Sequence, residues 1–478
     1  MSPFDAARYA RLLEGLEVSE ICWSALENEL TLGSEYYGPT FLEPVSRLNK
    51  SAFELAPLSK ACALITDGDH GSADYASEGV TFVLSEAVTD GWVELSKCRF
   101  ITHQHAKSLK RSQLRFGDVL VTKTGVYFGK SAVVEKSLEG ANTIAHVGIL
   151  RLRSDVGINP YFLSTFLNSP YGYAQLRRRG IKATRPEIKL LEFDDIRVPL
   201  VSKELQLAIE AVVRRAHFER DAAQTIVAQG EAALLHALAL DTWRPPEPLT
   251  YIRRSSEAFA SGRLDAQHFQ PRYRALTDFL EATGESSRLG DWLNENQRGK
   301  QPDYAEDGIP VVNSKHVLRG EVRLDSDNRN ASFTDDDLLI HHGDVLMNGT
   351  GVGTIGRVAP YLHADPAIPD NHVTILRPKQ GLDPVYLSVF LNSMAGQWQV
   401  EERLRGSSGQ IELYPTDIAQ FTVWIAPPSV QKEIRRSVEK SYEQKQHATQ
   451  LLNAAKRAVE IAIEDSEAAS LEYLGAFK

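Results

Sequence analysis

The sequence has 478 residues, 42% of them hydrophobic and 24% charged, which are ordinary values for a folded globular protein. Such a length predicts two to four domains of roughly 150 residues and excludes a fully disordered or collagen-like chain. Lys and Arg number 53 and Asp and Glu number 63, so the net charge is −10. This balance argues against a large nucleic-acid interface, because Lys and Arg supply phosphate affinity, but local clustering matters more than the sum.

The remaining global features indicate a protein of a reducing compartment. Cys22, Cys62 and Cys98 are far apart and lack metal-ligand spacing, so neither a disulfide framework nor a zinc ribbon is expected. The first 20 residues lack the apolar core of a signal peptide, and no apolar run is long enough to cross a membrane. We therefore expect a cytoplasmic location.

The chain contains one internal repeat, which is its most informative feature. Gly-Asp-Val-Leu occurs at 117–120 and 343–346, followed by Thr-Gly-Val at 124–126 and 350–352. Further pairs in the same order are 32–41 with 264–273, 74–80 with 303–309, 162–169 with 386–393, and Asp195, Ile196 and Gln206 with Asp417, Ile418 and Gln431. The offset drifts between 232 and 222 residues, which is typical of two diverged copies of one unit.

In chain order, each copy begins with short strands and ends in a long helix. Runs of β-branched residues at 79–84, 133–134 and 308–312 predict short strands joined by loops. A helix is predicted to begin at Asn159 and again at Asp383, because each is an N-cap residue followed by Pro.

Apolar stripes without proline then predict long helices over 203–239 and 429–465. About 36 residues make a helix of roughly 54 Å. The two apolar seams can pack against each other, or each helix can lie on its own domain. The Pro-rich stretch 243–248 is the best domain boundary in the chain.

Three motifs resemble catalytic sites, but structural roles explain them better. The glycines at 351–356 match a dinucleotide-binding pattern, yet prolines rather than a helix follow, so a tight turn between strands is predicted. Asn-Pro-Tyr at 159–161 resembles an adenine methyltransferase loop less one proline, and the helix cap accounts for both copies. The histidines lack a complete ligand set and are predicted to be surface residues: 103, 105, 341, 342 and 363.

Other motifs favour nucleic-acid binding. Residues 175–185 carry five Lys and Arg in a glycine-containing stretch, and 403–410 is a shorter counterpart. Loops of this kind suit phosphates, because guanidinium groups and free backbone N–H groups both reach oxygen. A further basic run contains Lys107, Lys110, Arg111 and Arg115. A solvated helix end is the alternative for each cluster, and polar loops at 67–72, 297–301, 313–316 and 371–372 offer base-reading groups.

The combined pattern resembles the specificity subunit of type I restriction-modification enzymes. The resemblance lies in Asp-Gly-Asp-His-Gly-Ser at 67–72, the motifs at 117–130 and 343–357, the Asn-Ser helix ends, and the helix entry at 427–434. It covers nearly the whole chain from about residue 30 and accounts for the duplication. The sequence departs from the family in having Lys123 where Arg is common, and in lacking a double proline at 199–202.

The resemblance implies an α+β fold in which two repeated α/β target-recognition domains are joined by two long helices. These helices would form an antiparallel coiled coil with pseudo-twofold symmetry. The expected segments are an N-terminal helical segment (1–30), a first target-recognition domain (31–201), the first long helix (202–243), a linker with the second target-recognition domain (244–427), and the second long helix with its tail (428–478). A spacer of roughly 54 Å exceeds one turn of DNA, about 34 Å.

The resemblance also implies that this chain reads a split target in double-stranded DNA and catalyses nothing itself. Expected partners are two methyltransferase (M) subunits and the restriction/translocase (R) subunits, with no membrane. The chain needs no cofactor of its own, while the partners use S-adenosylmethionine and ATP with Mg²⁺. The candidate DNA-binding residues are His70, Lys123, Thr124, Lys130, Arg177, Arg178, Arg179, Lys182, Arg185, Arg298, Lys300, Asn313, Lys315, Asn348, Thr350, Arg357, His372, Arg403, Arg405, Ser407 and Ser408.

Two alternative functions are compatible with the residues. A self-sufficient adenine-specific DNA methyltransferase would use Asn159, Pro160 and Tyr161 and would bind S-adenosylmethionine alone. A non-reading assembly scaffold would keep the helices but would be insensitive to loss of the basic clusters.

Overall fold

The structure is a computed structural model that describes residues 5–26, 33–180, 185–324, 328–332, 338–406 and 411–477. The chain divides into two compact units. Unit 1 contains the chain up to Arg220 together with the segment from Lys445 onward, and unit 2 is the continuous stretch from Asp221 to Gln444. Within the described ranges, no helix is both long and apolar enough to cross a membrane.

Unit 1 contains three small sheets flanked by helices. Its strands are β1 (Leu55–Pro57), β2 (Cys62–Asp67), β3 (Tyr75–Ala76), β4 (Val80–Val83), β5 (Arg99–Ile101), β6 (Val119–Thr122), β7 (Ser131–Val133), β8 (Asn142–Thr143), β9 (Val147–Leu152) and β10 (Arg197–Pro199). Its helices are α1 (Ala6–Leu12), α2 (Pro39–Lys50), α3 (Leu58–Ala61), α4 (His103–Ser108), α5 (Pro160–Asn168), α6 (Pro170–Gly180) and the first part of α7 (Lys203–Ala237). The sheet orders are β2-β9-β6-β7, β3-β5-β4-β8 and β1-β10.

Unit 2 contains the same three sheets. Its strands are β11 (Ser286–Arg288), β12 (Leu293–Arg298), β13 (Tyr304–Ala305), β14 (Ile309–Val312), β15 (Asn330–Ala331), β16 (Val345–Asn348), β17 (Val358–Pro360), β18 (Ile368–Pro369), β19 (Val373–Pro378) and β20 (Thr422–Trp424). Its helices are α8 (Ser255–Ser261), α9 (Pro271–Ala282), α10 (Pro384–Asn392), α11 (Met394–Arg403), α12 (Pro415–Ile418) and the first part of α13 (Pro428–Glu464). The sheet orders are β12-β19-β16-β17, β13-β15-β14-β18 and β11-β20.

The duplication extends to strand register. Val119 pairs with Leu150 in unit 1, and Val345 pairs with Leu376 at the matching place in unit 2. In both units the first strand of this sheet has a register shift at its start, next to Cys62 and next to Leu293. Strand order, direction and irregularity all repeat, so the predicted mixed fold with two repeated sheet-rich units is confirmed.

The central strand of each main sheet is buried on both faces. In β6, Val119 and Val121 belong to the cluster formed with α5 and α7, whereas Leu120 faces a second cluster. Neighbouring side chains in a strand point to opposite faces, so a strand covered on both faces has buried side chains at every position. Polar side chains along these strands must therefore find partners inside the unit.

The predicted helix caps are confirmed in both units. Asn159 Oδ1 accepts hydrogen bonds from the backbone N–H groups of Tyr161 (2.8 Å) and Phe162, and Asp383 Oδ1 does the same for the corresponding residues of α10. The long helix holds each cap in place, because Gln206 Oε1 accepts from Asn159 N–H at 2.7 Å. Gln431 Oε1 accepts from Asp383 N–H at the same distance. Asn159 therefore has a capping role in this fold.

Segments of both long helices pack antiparallel in each unit. In unit 1, the backbone N–H of Ser202 donates to Glu467 Oε1 at 2.6 Å. Glu467 begins α14 (Glu467–Gly475), the short helix that follows α13. Further along α7, Glu219 Oε1 lies 3.3 Å from His447 Nδ1 of α13. Residue numbers rise along α7 while those of the contacting residues fall, so the two chain segments run antiparallel. The seam of unit 1 contains Leu205, Ile209, Val212, Ala216, Leu451, Leu452, Ala455, Ala458, Val459, Ala462 and Ile463. In unit 2, Leu234 and Ile434 lie in the same core cluster, and a Cβ added at Gly230 would lie 3.5 Å from Ser437 Cβ, so the helix segments again run antiparallel.

The structure corrects one local expectation. In the arginine-rich stretch that begins at residue 175, the described residues up to 180 are helical, and Arg177, Arg178 and Arg179 form the last turn of α6. Arg403 is likewise the last residue of α11. A second helix starts in each unit directly after Ser169 and Ser393, so the basic residues lie near helix C-termini, where cations are favoured.

Candidate nucleic-acid interface

Four chain segments meet in each unit where strands of the main sheet end. In unit 1, Lys123 N–H donates to His146 O and Ile188 N–H donates to Lys123 O, both at 2.9 Å. In unit 2, Gly349 N–H donates to His372 O and Leu413 N–H donates to Gly349 O. We call this region the strand-end site, comprising Asp67, His70, Lys123, His146 and Arg185 in unit 1, and Arg298, Gly349, Thr350, His372 and Tyr414 in unit 2. The same backbone framework carries different side chains.

In unit 1 the strand-end site is organised by one buried carboxylate. The Asp67 side chain is 2% exposed and contacts Lys123 Nζ at 3.1 Å, His70 Nε2 at 2.9 Å and Arg111 Nη2 at 3.3 Å. Burial alone would raise the pKa of Asp67, but hydrogen bonds from His70 and Lys123 outweigh it and hold the pKa below its usual value. Asp67 is thus a carboxylate that neutralises Lys123, whose side chain is only 8% exposed.

A second carboxylate and two imidazoles complete this region. Asp69 accepts from the Gly71 backbone N–H and lies 2.9 Å from His105 Nε2, and these contacts lower its pKa against the opposing effect of burial. Burial, with the positive charges of Arg185 and Lys123, lowers the pKa of His146. A neutral imidazole at 146 can both donate and accept a hydrogen bond, which suits contact with a base edge.

In unit 2 the long side chain comes from the neighbouring strand. Arg298 occupies the position of Asp67 and donates to the carbonyl oxygens of Leu413 and Gly349. A Cβ added at Gly349 would lie 2.6 Å from Arg298 Nη2. A side chain at 349 would therefore require the Arg298 guanidinium to move, and where unit 1 has Lys123, unit 2 has a glycine next to Arg298.

The outer part of the unit 2 site combines a threonine, a histidine and an aromatic ring. Thr350 Oγ1 lies 2.6 Å from His372 Nδ1. The guanidinium groups of Arg298 and Arg405 both lie over the Tyr414 ring, at 5.4 and 5.9 Å from its centre. Arg405 Nη2 also pairs with Asp417 Oδ1 at 2.8 Å, so the ring and this carboxylate together fix its orientation.

Several predicted residues are occupied within the chain. Asn348 is fully buried, and its Nδ2 donates to the carbonyl oxygens of Ser314 and Val317. Arg178 is buried beneath Tyr36, to whose carbonyl it donates at 2.9 Å. A DNA contact by Asn348, Arg178 or Lys123 would require these internal partners to be released, so their assignment stays a prediction.

Other predicted residues are more accessible or carry an atom that the chain leaves unpaired. Lys130, Lys300 and Lys315 are exposed, while Arg177, Arg179, Arg357 and Arg403 are half-buried. One buried polar atom of each of the following lacks a hydrogen-bond partner within the described residues: Thr124, Arg298, Asn313 and Asn348. Lys182, Ser407 and Ser408 lie outside the described residues.

Sequence reasoning missed residues that organise the site. The sequence placed Asp67 in a polar loop and Arg111 in a basic run but did not predict that the two side chains pair, and it did not predict Tyr414. A buried carboxylate at a strand end has no distinctive sequence signal. His146 could have been found, because it occupies the same place in the first copy as His372 in the second. The predicted tight turn at 351–356 is confirmed, since these residues connect β16 to β17 as a hairpin.

The two copies differ in charge over equivalent stretches. Residues 51–201 contain 19 Lys and Arg against 16 Asp and Glu, whereas 282–426 contain 12 against 20. The acidic balance of the whole chain therefore does not come from the first copy. Phosphate affinity is favoured there and disfavoured in the second copy.

No family model matches the chain, and no curated protein matches it. Among solved structures it is similar to a type I restriction-modification S subunit from M. genitalium, with 14% identity, TM-score 0.41, and coverage of 87% of this chain and 96% of that one. It is also similar to the HsdS subunit from Thermoanaerobacter tengcongensis, with 18% identity, TM-score 0.27, and coverage of 88% and 96%. A third similar chain comes from work on assembly and conformational transition of the type I R-M system, with 14% identity, TM-score 0.31, and coverage of 87% and 98%.

Proposed function

We propose that this chain is the DNA-binding specificity subunit of a type I restriction-modification complex, and that each unit reads one half of a split target. The observation that carries the proposal is the paired strand-end site. Both units hold it with the same backbone hydrogen bonds but fill it with different side chains. Such a framework keeps the position of the site and lets the two halves recognise different bases.

The distribution of cations supports a duplex as ligand. In unit 1 the exposed Lys107, Lys110 and Arg111 belong to α4 and the short 3₁₀ helix after it, and Arg111 contacts Asp67 in the strand-end site. Lys130 ends the neighbouring hairpin turn and is exposed. Cations around a polar, recessed site suit phosphates at the rim and base edges at the centre.

We further propose that the partners carry the chemistry. Two M subunits would transfer a methyl group from S-adenosylmethionine to adenine, and R subunits would use ATP and Mg²⁺. The exposed face of α7 supports docking of a partner, because Leu207 and Phe218 point away from the seam of unit 1 and are exposed. The Asn-Pro-Tyr residues hold a helix cap instead of lining a pocket for a base, which favours a partner as the source of catalysis.

Methylome sequencing of cells expressing this chain with its methyltransferase subunits tests the proposal. We expect a split adenine motif. Arg185→Ala is expected to change one half of that motif and His372→Ala the other, whereas the exposed Lys136→Ala leaves both halves unchanged. Methylation of a continuous motif, or loss of both halves with either substitution, would contradict two-unit reading.

Calorimetry distinguishes the proposed non-catalytic subunit from a self-sufficient methyltransferase. The purified chain titrated with S-adenosylmethionine is expected to release no binding heat, whereas the assembled complex binds it. Binding by the isolated chain would support a self-sufficient methyltransferase and refute the division of labour proposed here.

A further inference from the structure

Each main sheet has a hairpin turn next to the strand-end site, and each turn has an exposed valine at its tip. The turn of unit 1 spans 123–130 and joins β6 to β7, and that of unit 2 spans 349–357 and joins β16 to β17. Val126 is 92% exposed and Val352 is 68% exposed. Single exposed aliphatic residues are common on protein surfaces, so exposure alone carries no conclusion.

The two valines occupy the same place in turns that otherwise differ. Thr-Gly-Val is shared at 124–126 and 350–352, while the residues that follow are Tyr-Phe-Gly-Lys in one turn and Gly-Thr-Ile-Gly in the other. Turn tips are normally rich in Gly, Asn, Asp and Ser, which fit their backbone or bind it. An aliphatic side chain kept at both tips points to a contact made outside the unit.

Backbone hydrogen bonds and a neighbouring helix hold the base of each turn in place, and the tip extends away from the sheet. Gly129 N–H donates to Thr122 O, and Gly356 N–H donates to Asn348 O, at 2.8 and 2.9 Å. Both glycines have a positive φ, and a Cβ at either would lie within 3 Å of a helix side chain, Tyr173 in unit 1 and Val400 in unit 2. The base of each turn is thereby packed against a helix.

Each turn also begins and ends next to a cationic residue. In unit 1, Lys123 and Lys130 bound the turn, and a Cβ at Gly125 would lie 3.3 Å from Arg185 Nη2. In unit 2, Arg298 and Arg357 lie at its two ends. A stiff β-branched side chain between cations fits a base edge in the major groove, where thymine presents an apolar 5-methyl group.

Resting on the proposed function, we propose that Val126 and Val352 are specificity-determining residues, and that each contacts the 5-methyl group of a thymine in its own half of the target. Covering one methyl group with a valine side chain is worth about a fourfold change in affinity. Apolar contact with thymine then adds to the polar base reading of the strand-end sites.

The test uses the full chain assembled with its methyltransferase subunits and duplexes carrying the split target read from the methylome. Each thymine on either strand is replaced in turn by deoxyuridine, which removes only the methyl group. We expect one thymine in each half whose replacement weakens binding about fourfold. Val126→Ala should abolish that sensitivity in one half and Val352→Ala in the other.

Leu191→Ala is the matched control, because Leu191 is an aliphatic residue of unit 1 that is 80% exposed. Both thymine sensitivities should persist in that variant. The inference is overturned if no thymine is sensitive, if the sensitivities survive both valine substitutions, or if the valine variants weaken all duplexes equally, as wedging between bases would. A methylome without a split motif would refute the proposed function itself. Because the methylome is determined before any valine variant is made, the two failures can be distinguished.

Discussion

Replacing Asp67 by Asn removes the buried negative charge that neutralises Lys123 in the strand-end site of unit 1. His70 and Arg111 are largely exposed and can turn to water, but Lys123 is 8% exposed and loses its counter-charge in place. Removing one partner of a buried ion pair costs about 3–5 kcal/mol. Asn keeps an oxygen that can accept from Lys123, so we expect the lower end, about 3 kcal/mol, which is a roughly 100-fold rise in the opening equilibrium.

Hydrogen exchange followed by mass spectrometry measures this change locally. Amides of β2, β6 and β9 should exchange about 100-fold faster in Asp67→Asn, while those of β12, β16 and β19 provide an unchanged internal reference. The matched control is Asp155→Asn, because Asp155 is 64% exposed and pairs with the exposed Arg153. An exposed pair of this kind contributes little to stability, because solvent screens it.

The pH dependence gives an independent check. The pKa of Asp67 is lower in the folded chain than its usual value, so its stabilising contribution is complete above the unfolded pKa of about 3.9. It is lost as the pH falls from there through the folded pKa. The Asn variant should lack this part of the acid sensitivity of unit 1. Equal exchange rates in variant and parent, or an effect no larger than that of Asp155→Asn, would refute the account of Asp67 as the organising charge.

Three further outcomes are expected. Leu451→Ala should destabilise unit 1 by about 2–5 kcal/mol, because Leu451 is fully buried in the seam. Leu207→Ala, on the exposed face of α7, should cost less than about 1 kcal/mol. Urea unfolding, with hydrogen exchange of the α7 amides, distinguishes the two variants. Changing Arg177 and Arg179 together to Ala should weaken DNA binding for all sequences and reduce the slope of log affinity against log salt by about 1.8 if both contact phosphates, and an unchanged slope would favour a scaffold that does not read DNA. Asn348→Ala should cost about 1–3 kcal/mol by leaving backbone carbonyls in unit 2 unpaired, as faster exchange of β16 would show.

The elements with local signals could be predicted from the sequence. Asn159 and Asp383 followed by Pro fixed the starts of two helices, because N-cap chemistry is encoded in consecutive residues. The repeat then predicted that both units would share one topology. The arginine-rich helix ends were interpreted as loops, because α6 and α11 begin directly after the preceding helices end at Ser169 and Ser393, so the break between two consecutive helices was not recognised.

The partners of the polar side chains could not be predicted in the same way. Asn348 is the last residue of a buried strand and was expected to reach a groove, but its sheet is covered on both faces and its amide donates to the carbonyl oxygens of Ser314 and Val317. Arg178 differs from its neighbours Arg177 and Arg179 only in helical phase, which turns it toward Tyr36. These outcomes depend on tertiary packing that a single sequence does not reveal.

The discontinuity of unit 1 determines the order in which the chain can fold during synthesis. The apolar face formed by Leu205, Ile209 and Val212 leaves the ribosome without the residues of α13 that pack on it, because these lie in the segment that begins at Lys445. All of unit 2 is made in between, roughly 10–45 s at about 5–20 residues per second. Unit 2 can therefore close first as a continuous stretch, and the last segment synthesised completes the unit whose chain began earliest.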